Sequence, residues 1–215
     1  MRIDIWSDLV CPWCAIGKAH LDQALQQFEH AGDTYVIWRS FELDPGAPAV
    51  RTGDYDRLLA AKYSTSPEGG RAMVRRISAA AERAGINARF DLVRPANTFD
   101  AHRLLHLAKT YGVQDDLARR LTRAYLAEGE VLSDHPTLQR LAEGVGLAAA
   151  QIAETLAGSA FTEHVRADEA DAARREITAV PTFLIDDRLV IPGAQTPESM
   201  LATLRRAWTK QHLNA

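Results

Sequence analysis

The sequence contains little cysteine, no long apolar run and no strong charge of either sign, and each shortage excludes a class of protein. Only two of its 215 residues are cysteine, too few for the disulfide framework of a small secreted domain. The net charge of −3 and the pI near 6.2 give no electrostatic reason to expect nucleic acid or an anionic membrane as a partner. No stretch approaches the roughly 18 apolar residues that a membrane span needs.

The composition and the first residues indicate a folded, intracellular protein. The chain is 47% hydrophobic and 25% charged, as globular domains are. The opening residues MRIDIWSD contain two acids and lack the continuous apolar stretch of a secretory signal, so we expect a cytoplasmic protein. The sequence also lacks a serine-hydrolase elbow, a phosphate-binding loop and a dinucleotide fingerprint.

Both ends of the chain have strand character. Residues 2–7 alternate between apolar and polar positions, and residues 34–41 are rich in β-branched and aromatic side chains. Between them a helical pattern runs from Pro12 to a predicted C-terminal cap at Gly32. A strand, a helix and a strand in this order predict a right-handed, parallel βαβ unit. Residues 182–185 and 189–191 predict a β-hairpin, followed by a last helix.

The middle of the chain is helical. Its pattern predicts helices over residues 54–63, 67–84, 98–111, 114–128, 136–145, 148–156 and 161–176. Glycines are predicted to adopt left-handed caps at Gly85, Gly112, Gly129, Gly146 and Gly158. The order β-α-β, helical block, β-β-α predicts an α/β protein: a thioredoxin-like domain of residues 1–43 and 177–215, interrupted by an all-helical insertion of residues 44–176.

The two cysteines form the sequence Cys11-Pro12-Trp13-Cys14 at the predicted start of the first helix. Disulfide exchange needs a thiolate that attacks and a second thiol that releases the resulting mixed disulfide. Free N–H groups and the helix dipole stabilise negative charge at Cys11, so we assign the first attack to Cys11 and resolution to the more buried Cys14. The alternative is a zinc site, but one cysteine pair supplies only half of its ligands, and no metal is predicted.

A second motif, Ala179-Val180-Pro181-Thr182, precedes the third predicted strand. Proline is tolerated at the first residue of a strand, because it cannot donate to the sheet. Spacing alone favours an ordinary trans proline here. Beside a dithiol, a cis Val180–Pro181 bond would leave the Val180 backbone free to pair with an extended substrate chain, and the presence of Cys11 and Cys14 favours this second interpretation.

These two motifs and the helical insertion between them resemble the DsbA-like oxidoreductases, and the resemblance is nearest to the cytosolic FrnE branch. Further similarities are Asp8 before the dithiol, Asn97-Thr98 followed by the residues AHRL at 101–104, and the residues PGAQ at 192–195. The resemblance covers nearly the whole chain. It implies a cis Pro181 and disulfide exchange with protein or small-molecule thiols, with no bound cofactor and with glutathione as a candidate redox partner.

The same superfamily contains kappa-type glutathione transferases and 2-hydroxychromene-2-carboxylate isomerases. A glutathione-dependent transferase or isomerase is therefore the alternative function. Those enzymes typically carry a serine at the position of Cys11, and this chain departs from them there. A third alternative is a helical binding module whose thiols only sense oxidation. The dithiol favours the first interpretation, a protein disulfide oxidoreductase.

Several residues near the motifs have two interpretations each. Asp8 either accepts the proton of Cys14 or shapes the electric field at the thiolate; the alternative is a carboxylate that caps a helix or a turn. Trp13 is either an exposed docking platform or simple packing. By the resemblance, Asn97 and His102 face the dithiol across the cleft between the two domains; the alternative is a helix cap followed by a partly buried histidine. We assign substrate binding to Pro12, Trp13, Val180, Pro181, Asn97 and His102.

Overall fold

The computed structural model describes residues 1–212, which form a four-stranded sheet surrounded by helices. The strands are β1 (Arg2–Ser7), β2 (Tyr35–Ser40), β3 (Thr182–Ile185) and β4 (Leu189–Pro192). The helices are α1 (Pro12–Gln26), α2 (Tyr55–Lys62), α3 (Pro67–Arg83), α4 (Phe99–Thr110), α5 (Gln114–Glu128), α6 (His135–Glu143), α7 (Ala149–Ala157), α8 (Thr162–Arg174) and α9 (Pro197–His212).

The sheet has the strand order β2-β1-β3-β4. Strands β1 and β2 are parallel, with Arg2 opposite Tyr35, and α1 connects them. Strand β3 runs antiparallel to β1, and β4 runs antiparallel to β3. The sheet and its surrounding helices confirm the predicted α/β fold with a thioredoxin-like core. Parallel strands place their carboxyl ends at the same edge of the sheet, and the segment after β1 leads from that edge into the two cysteines.

Each face of the sheet is covered by helices. Alternate residues of β1 point to opposite faces, so Ile3 and Ile5 pack with β3 and with helices α1 and α9 in one core. Trp6 points the other way and packs with Leu184 and with Ala172 of α8. The sheet is therefore buried on both sides, and the start of α1 has a fixed position above it.

The remaining helices have a hydrophobic core of their own. It consists mainly of side chains from α4 to α7, and among its fully buried members are Leu104, Leu117, Leu121, Leu138 and Ile152. Leu9 and Trp13, on either side of Cys11, pack against this core rather than against the sheet core. The cysteine segment thus lies at the junction between the sheet and the helical block.

The other predicted strands and helices lie within two residues of the observed ones, and α5 has the predicted bounds, but α1 ends at Gln26, well before the cap predicted at Gly32. Helix α8 belongs by sequence position to the predicted insertion of residues 44–176, yet it packs on β1 and β2 through Trp6 and Arg39. In the folded protein, α8 therefore packs against the sheet. No helix within residues 1–212 is long and apolar enough to cross a membrane.

Candidate active site

Helix α1 begins at the dithiol. Cys11 is its N-cap residue, with an extended backbone at φ −94° and ψ 111°, and Pro12 follows at the first helical position. Proline suits this position because its φ is already helical and its missing N–H would have no partner there. No side chain caps this end, and the first turn contains no acid. The Cys14 N–H is bonded to the Cys11 carbonyl at 3.0 Å, so the Trp13 N–H and the positive end of the helix dipole are what this turn offers to negative charge on Cys11.

The two thiols have unequal surroundings. Both cysteines are free and buried, but only Cys11 lines the adjacent cavity. Burial raises the pKa of the Cys14 thiol well above its ordinary value, and the hydrogen bond and charge of Cys11 raise it further. The Ser7 hydroxyl and the Asp8 backbone oppose this shift only in part. Cys14 therefore keeps its proton while Cys11 faces the cavity, which suits sequential attack by the two sulfurs.

The proline motif lies directly beside Cys11. The Val180–Pro181 peptide bond is cis, and Cys11 Sγ lies 3.9 Å from the carbonyl oxygen of Val180. Within residues 1–212 the Val180 N–H has no hydrogen-bond partner. Pro181 accepts a hydrogen bond of 2.8 Å from the Gly193 N–H through its carbonyl. A substrate chain that reaches Cys11 could therefore also pair with the Val180 backbone.

Gly17 allows α1 to approach Pro181 closely. A Cβ atom at Gly17 would lie 2.8 Å from Pro181 Cγ and 3.2 Å from the ring of Phe183. We expect Gly17→Ala to destabilise the fold by about 1–3 kcal/mol, because overpacking in a tight core outweighs the gain of about 1 kcal/mol in helix propensity. Urea unfolding would measure the difference.

Gly32→Ala is the matched control, because among the described residues, its two chain neighbours aside, none has an atom within 4 Å of a Cβ built at Gly32. Its free energy of unfolding should stay within about 0.5 kcal/mol of wild type. A Gly17→Ala variant as stable as Gly32→Ala would mean that Pro181 can move away from α1, contrary to the close contact between Gly17 and the proline ring.

A cavity of about 590 Å³ opens in front of the dithiol. The dithiol segment Cys11-Pro12-Trp13 forms one wall, and helices α2 and α3 form the opposite one. Trp13 is half-buried, and the guanidinium of Arg76 lies 5.8 Å from its ring centre. Arg76 and Lys62 line the cavity without a carboxylate partner among residues 1–212. The cavity therefore combines apolar walls with two uncompensated cations.

Two tyrosines at this cavity were not identified from the sequence. Burial raises the pKa of both Tyr55 and Tyr125, and the charge of Cys11 adds to the shift in each case. Their hydroxyls therefore stay protonated near Cys11 and can donate hydrogen bonds to an anionic sulfur. The two residues come from α2 and α5, far apart in sequence, and neither lies in a recognisable motif.

Asp8 also lines this cavity, although its side chain is only 2% exposed. Its Oδ2 accepts a hydrogen bond of 2.8 Å from the Leu43 N–H, and its Oδ1 lies 3.5 Å from His102 Nε2. The carboxylate therefore joins the segments after β1 and β2 rather than capping α1. Its position near Cys14, whose sulfur accepts a hydrogen bond from the Asp8 backbone, is compatible with the proposed role of proton acceptor.

Asn97 and His102 do not meet at the cavity. The Asn97 Oδ1 accepts a hydrogen bond of 2.9 Å from the Phe99 N–H at the start of α4, which is the cap predicted as the alternative. His102 is fully buried, so its ring has no surface with which to touch a substrate in this conformation. Thr98, between them, lines the cavity instead. The structure thus places His102 behind Asp8.

Comparisons with known proteins agree with this arrangement. A family model described as DSBA-like thioredoxin domain matches residues 2–205. The chain is 32% identical over 196 residues to the uncharacterized protein YwbO of Bacillus subtilis (strain 168), covering 90% of each chain. It is 39% identical to a probable DsbA oxidoreductase of Streptomyces coelicolor of known structure, with a TM-score of 0.92 over 97% of this chain and 90% of that one.

Two more distant structures share the fold. A 2-hydroxychromene-2-carboxylate isomerase is 17% identical, with a TM-score of 0.69 over 100% of this chain and 98% of that one. The cytosolic disulfide reductase DsbM of Pseudomonas aeruginosa, solved with glutathione, is 18% identical, with a TM-score of 0.67 over 97% of this chain and 100% of that one. At these identities the likeness concerns the fold alone.

Proposed function

The chain belongs to the DSBA-like thioredoxin domain family, and from this premise we propose that it is a thiol–disulfide oxidoreductase that works through Cys11 and Cys14. The observation that carries the proposal is the unequal pair at the start of α1. Cys11 lines the cavity beside Val180, while Cys14 is shielded from the cavity and holds its proton.

The exchange takes place in two steps. In the reducing direction, the Cys11 thiolate attacks a substrate disulfide, one sulfur leaves as a thiolate, and a mixed disulfide forms on Cys11. Cys14 then loses its proton, with the Asp8 carboxylate as its proposed acceptor, and attacks the Cys11 sulfur. The second substrate sulfur leaves as a thiolate, so the substrate gains two electrons and Cys11 and Cys14 form a disulfide. The oxidising direction is the reverse.

We propose protein thiols and small-molecule thiols as the substrates. Pro12 and Trp13 would form one side of the docking surface, and the backbone of Val180 and Pro181 would pair with an extended chain. Lys62 and Arg76 supply positive charge to the cavity, which suits carboxylates such as those of glutathione. Glutathione is therefore the first redox partner to test.

A glutathione-dependent isomerase or transferase is the second candidate. The cavity supports it, because 590 Å³ falls within the range of small-molecule sites. Such an enzyme would use glutathione as a cofactor and would not need Cys14. Turnover of an aromatic substrate that requires glutathione and survives in a Cys14→Ser variant would favour this function over disulfide exchange.

The proposal also includes a cytosolic location and membership of the FrnE branch of the family. Both stay predictions from the sequence. In the cytosol the dithiol faces a reducing glutathione pool. We therefore expect Cys11 and Cys14 to be mostly reduced at rest.

A glutathione redox series tests the proposed function. The protein is equilibrated at graded ratios of reduced to oxidised glutathione. Intact mass and tryptophan fluorescence are recorded, and we expect Trp13, between the two cysteines, to report the change. We expect one two-electron transition, with the loss of two hydrogens and no stable adduct. The midpoint of the transition gives the reduction potential of the dithiol. Its difference from the potential of the glutathione pool decides whether the protein oxidises or reduces its substrates, and each 30 mV or so of difference corresponds to about 1.4 kcal/mol. A pair that never oxidises would exclude the oxidoreductase function.

A further inference from the structure

The packing of α3 on α1 holds Arg76 beside the dithiol. The contact consists of one buried isoleucine of α1 and three buried alanines of α3, which are Ile16, Ala80, Ala81 and Ala84. Trp13 packs against the same cluster, and Arg76, one turn before the first of these alanines, lies with its guanidinium 5.8 Å from the centre of the Trp13 ring. The charge of Arg76 is therefore held close to the segment that carries Cys11.

Lys62 reaches the same cavity from α2, which packs closely on α3. A Cβ atom at Gly70 of α3 would overlap the carbonyl oxygen of Asp56 on α2, so glycine permits this approach of the two helices. Lys62 is the last residue of α2 and lines the cavity. The two packed helices thus present two cations on the wall opposite the dithiol segment.

The other charges of the cavity leave these two cations uncompensated. Asp44 and Arg51 line the cavity and form an ion pair, so they cancel each other. Asp8 is 2% exposed and accepts a hydrogen bond from a backbone N–H. Among residues 1–212, Lys62 and Arg76 have no carboxylate partner. The open part of the cavity is therefore positively charged and favours an anionic ligand.

We propose that, among small-molecule disulfides, this cavity selects those that carry carboxylates, and that Arg76 determines this specificity; the inference rests on the proposed function. The Cys11 thiolate bonds to one sulfur of the disulfide, the S–S bond breaks, and the other half leaves as a thiolate. A carboxylate of the substrate lies against Arg76 during this step, because a planar guanidinium can donate to both carboxylate oxygens. Lys62 adds an exposed positive charge.

Three small disulfides of different charge test this specificity: dithiodipropionate, which is anionic, hydroxyethyl disulfide, which is neutral, and cystamine, which is cationic. Each is mixed with the reduced protein, and acid quenching with intact mass gives the rate at which the reduced protein disappears. Each rate is divided by the rate of the same disulfide with free dithiothreitol, which removes differences in intrinsic reactivity. We expect the normalised rate to fall from the anionic to the neutral to the cationic disulfide.

Arg76→Gln is expected to lower the rate with the anionic disulfide, relative to the neutral one, roughly three- to fivefold at low ionic strength, as for loss of an exposed ion pair. Arg76→Lys should restore part of this ratio, because it keeps the charge without the planar fork. Added salt should shrink the difference between wild type and Arg76→Gln, since salt screens exposed charges. Arg76→Gln also removes the contact with Trp13, but that loss acts equally on all three disulfides.

Arg75→Gln is the matched control. It removes the same charge from the neighbouring position of α3, but Arg75 does not line the cavity and pairs with Glu68 at 2.9 Å on the exposed side. This variant should keep the wild-type ratio between the anionic and the neutral disulfide. The same loss of ratio in Arg75→Gln and Arg76→Gln would assign the preference to the overall charge of the protein and overturn the role of Arg76.

The outcomes separate this specificity from the proposed function. A wild-type protein that reacts with none of the three disulfides would refute disulfide exchange itself. Normalised rates that do not depend on substrate charge, or an Arg76→Gln variant that loses the same factor with all three disulfides, would refute the specificity and leave the oxidoreductase function intact.

Discussion

A Cys14→Ser variant incubated with glutathione disulfide is expected to accumulate one glutathione on Cys11, whereas Cys11→Ser is expected to exchange no faster than a sample without protein. The first variant can form the mixed disulfide but lacks the sulfur that resolves it. The second lacks the sulfur that attacks. Intact mass, followed by peptide mapping of the adduct, measures both results.

The structure predicts this asymmetry from the surroundings of the two thiols. Cys11 lines the cavity and lies at the start of α1, where the positive end of the helix dipole favours negative charge. Cys14 does not line the cavity, and burial together with the charge of Cys11 raises its pKa. A substrate disulfide therefore meets Cys11 first, and Cys14 reacts only once its neighbour's charge is lost in the mixed disulfide.

The double variant Cys11→Ser/Cys14→Ser is the control for non-specific modification and should gain no mass, since the chain contains no other cysteine. An adduct on Cys14 in the Cys11→Ser variant, together with an unmodified Cys11 in the Cys14→Ser variant, would reverse the assigned roles. Adducts of equal yield on both cysteines would contradict the shielding of Cys14.

Local patterns explain how much of the fold could be predicted. The alternation in β1 and the apolar spacing in α5 depend on neighbouring residues alone, and both elements have their predicted bounds. Gly158 shows the limit: its φ is −104°, so the predicted left-handed cap is wrong. Arg103 of α4 donates a hydrogen bond to the Gly158 carbonyl at 2.6 Å, and no local pattern reveals a partner so distant in the chain.

The residues of the site divide in the same way, into those that a local motif predicts and those that only tertiary packing brings to the site. Cys11, Cys14 and Pro181 lie in short motifs whose chemistry can be read from the sequence. Arg76 and Tyr125 line the same cavity but come from helices of the insertion, and their sequence context is that of ordinary helix positions. Only the packing of that insertion against the dithiol brings them to Cys11, and packing over such distances has no signature in residue spacing.

Asp168→Ala is expected to destabilise the fold far more than the loss of a carboxylate at the surface. Asp168 of α8 accepts hydrogen bonds from Arg39 Nη1 at 2.9 Å and from the Ser40 N–H at 3.0 Å, and it lies 3.2 Å from His106 Nε2. Its removal leaves the buried Ser40 N–H without its acceptor and takes away one of the two carboxylates that face Arg39, the other being Asp4. We expect a loss of roughly 2–4 kcal/mol, somewhat below that of fully buried pairs because Arg39 is partly exposed.

Asp171→Ala is the matched control on the same helix, because within residues 1–212 the ion pairs of Asp171 are those with Arg174 and Arg175 at the surface. Its cost should be under about 1 kcal/mol. Urea unfolding of both variants and the wild type at neutral pH measures the difference. Equal costs for the two variants would mean that the network around Asp168 does not hold α8 on the sheet.

The pH dependence of stability gives an independent check on Asp168. Burial would raise the pKa of Asp168, but the hydrogen bonds from His106 and Ser40 and the charges of His106 and Arg39 together lower it. A carboxyl group whose pKa is lowered by folding stabilises the protein above its unfolded pKa of about 3.9, and this contribution disappears as the pH falls through the folded pKa. The stability gap between wild type and Asp168→Ala should therefore narrow below about pH 4. A gap that widens on acidification would assign the stabilisation to another group.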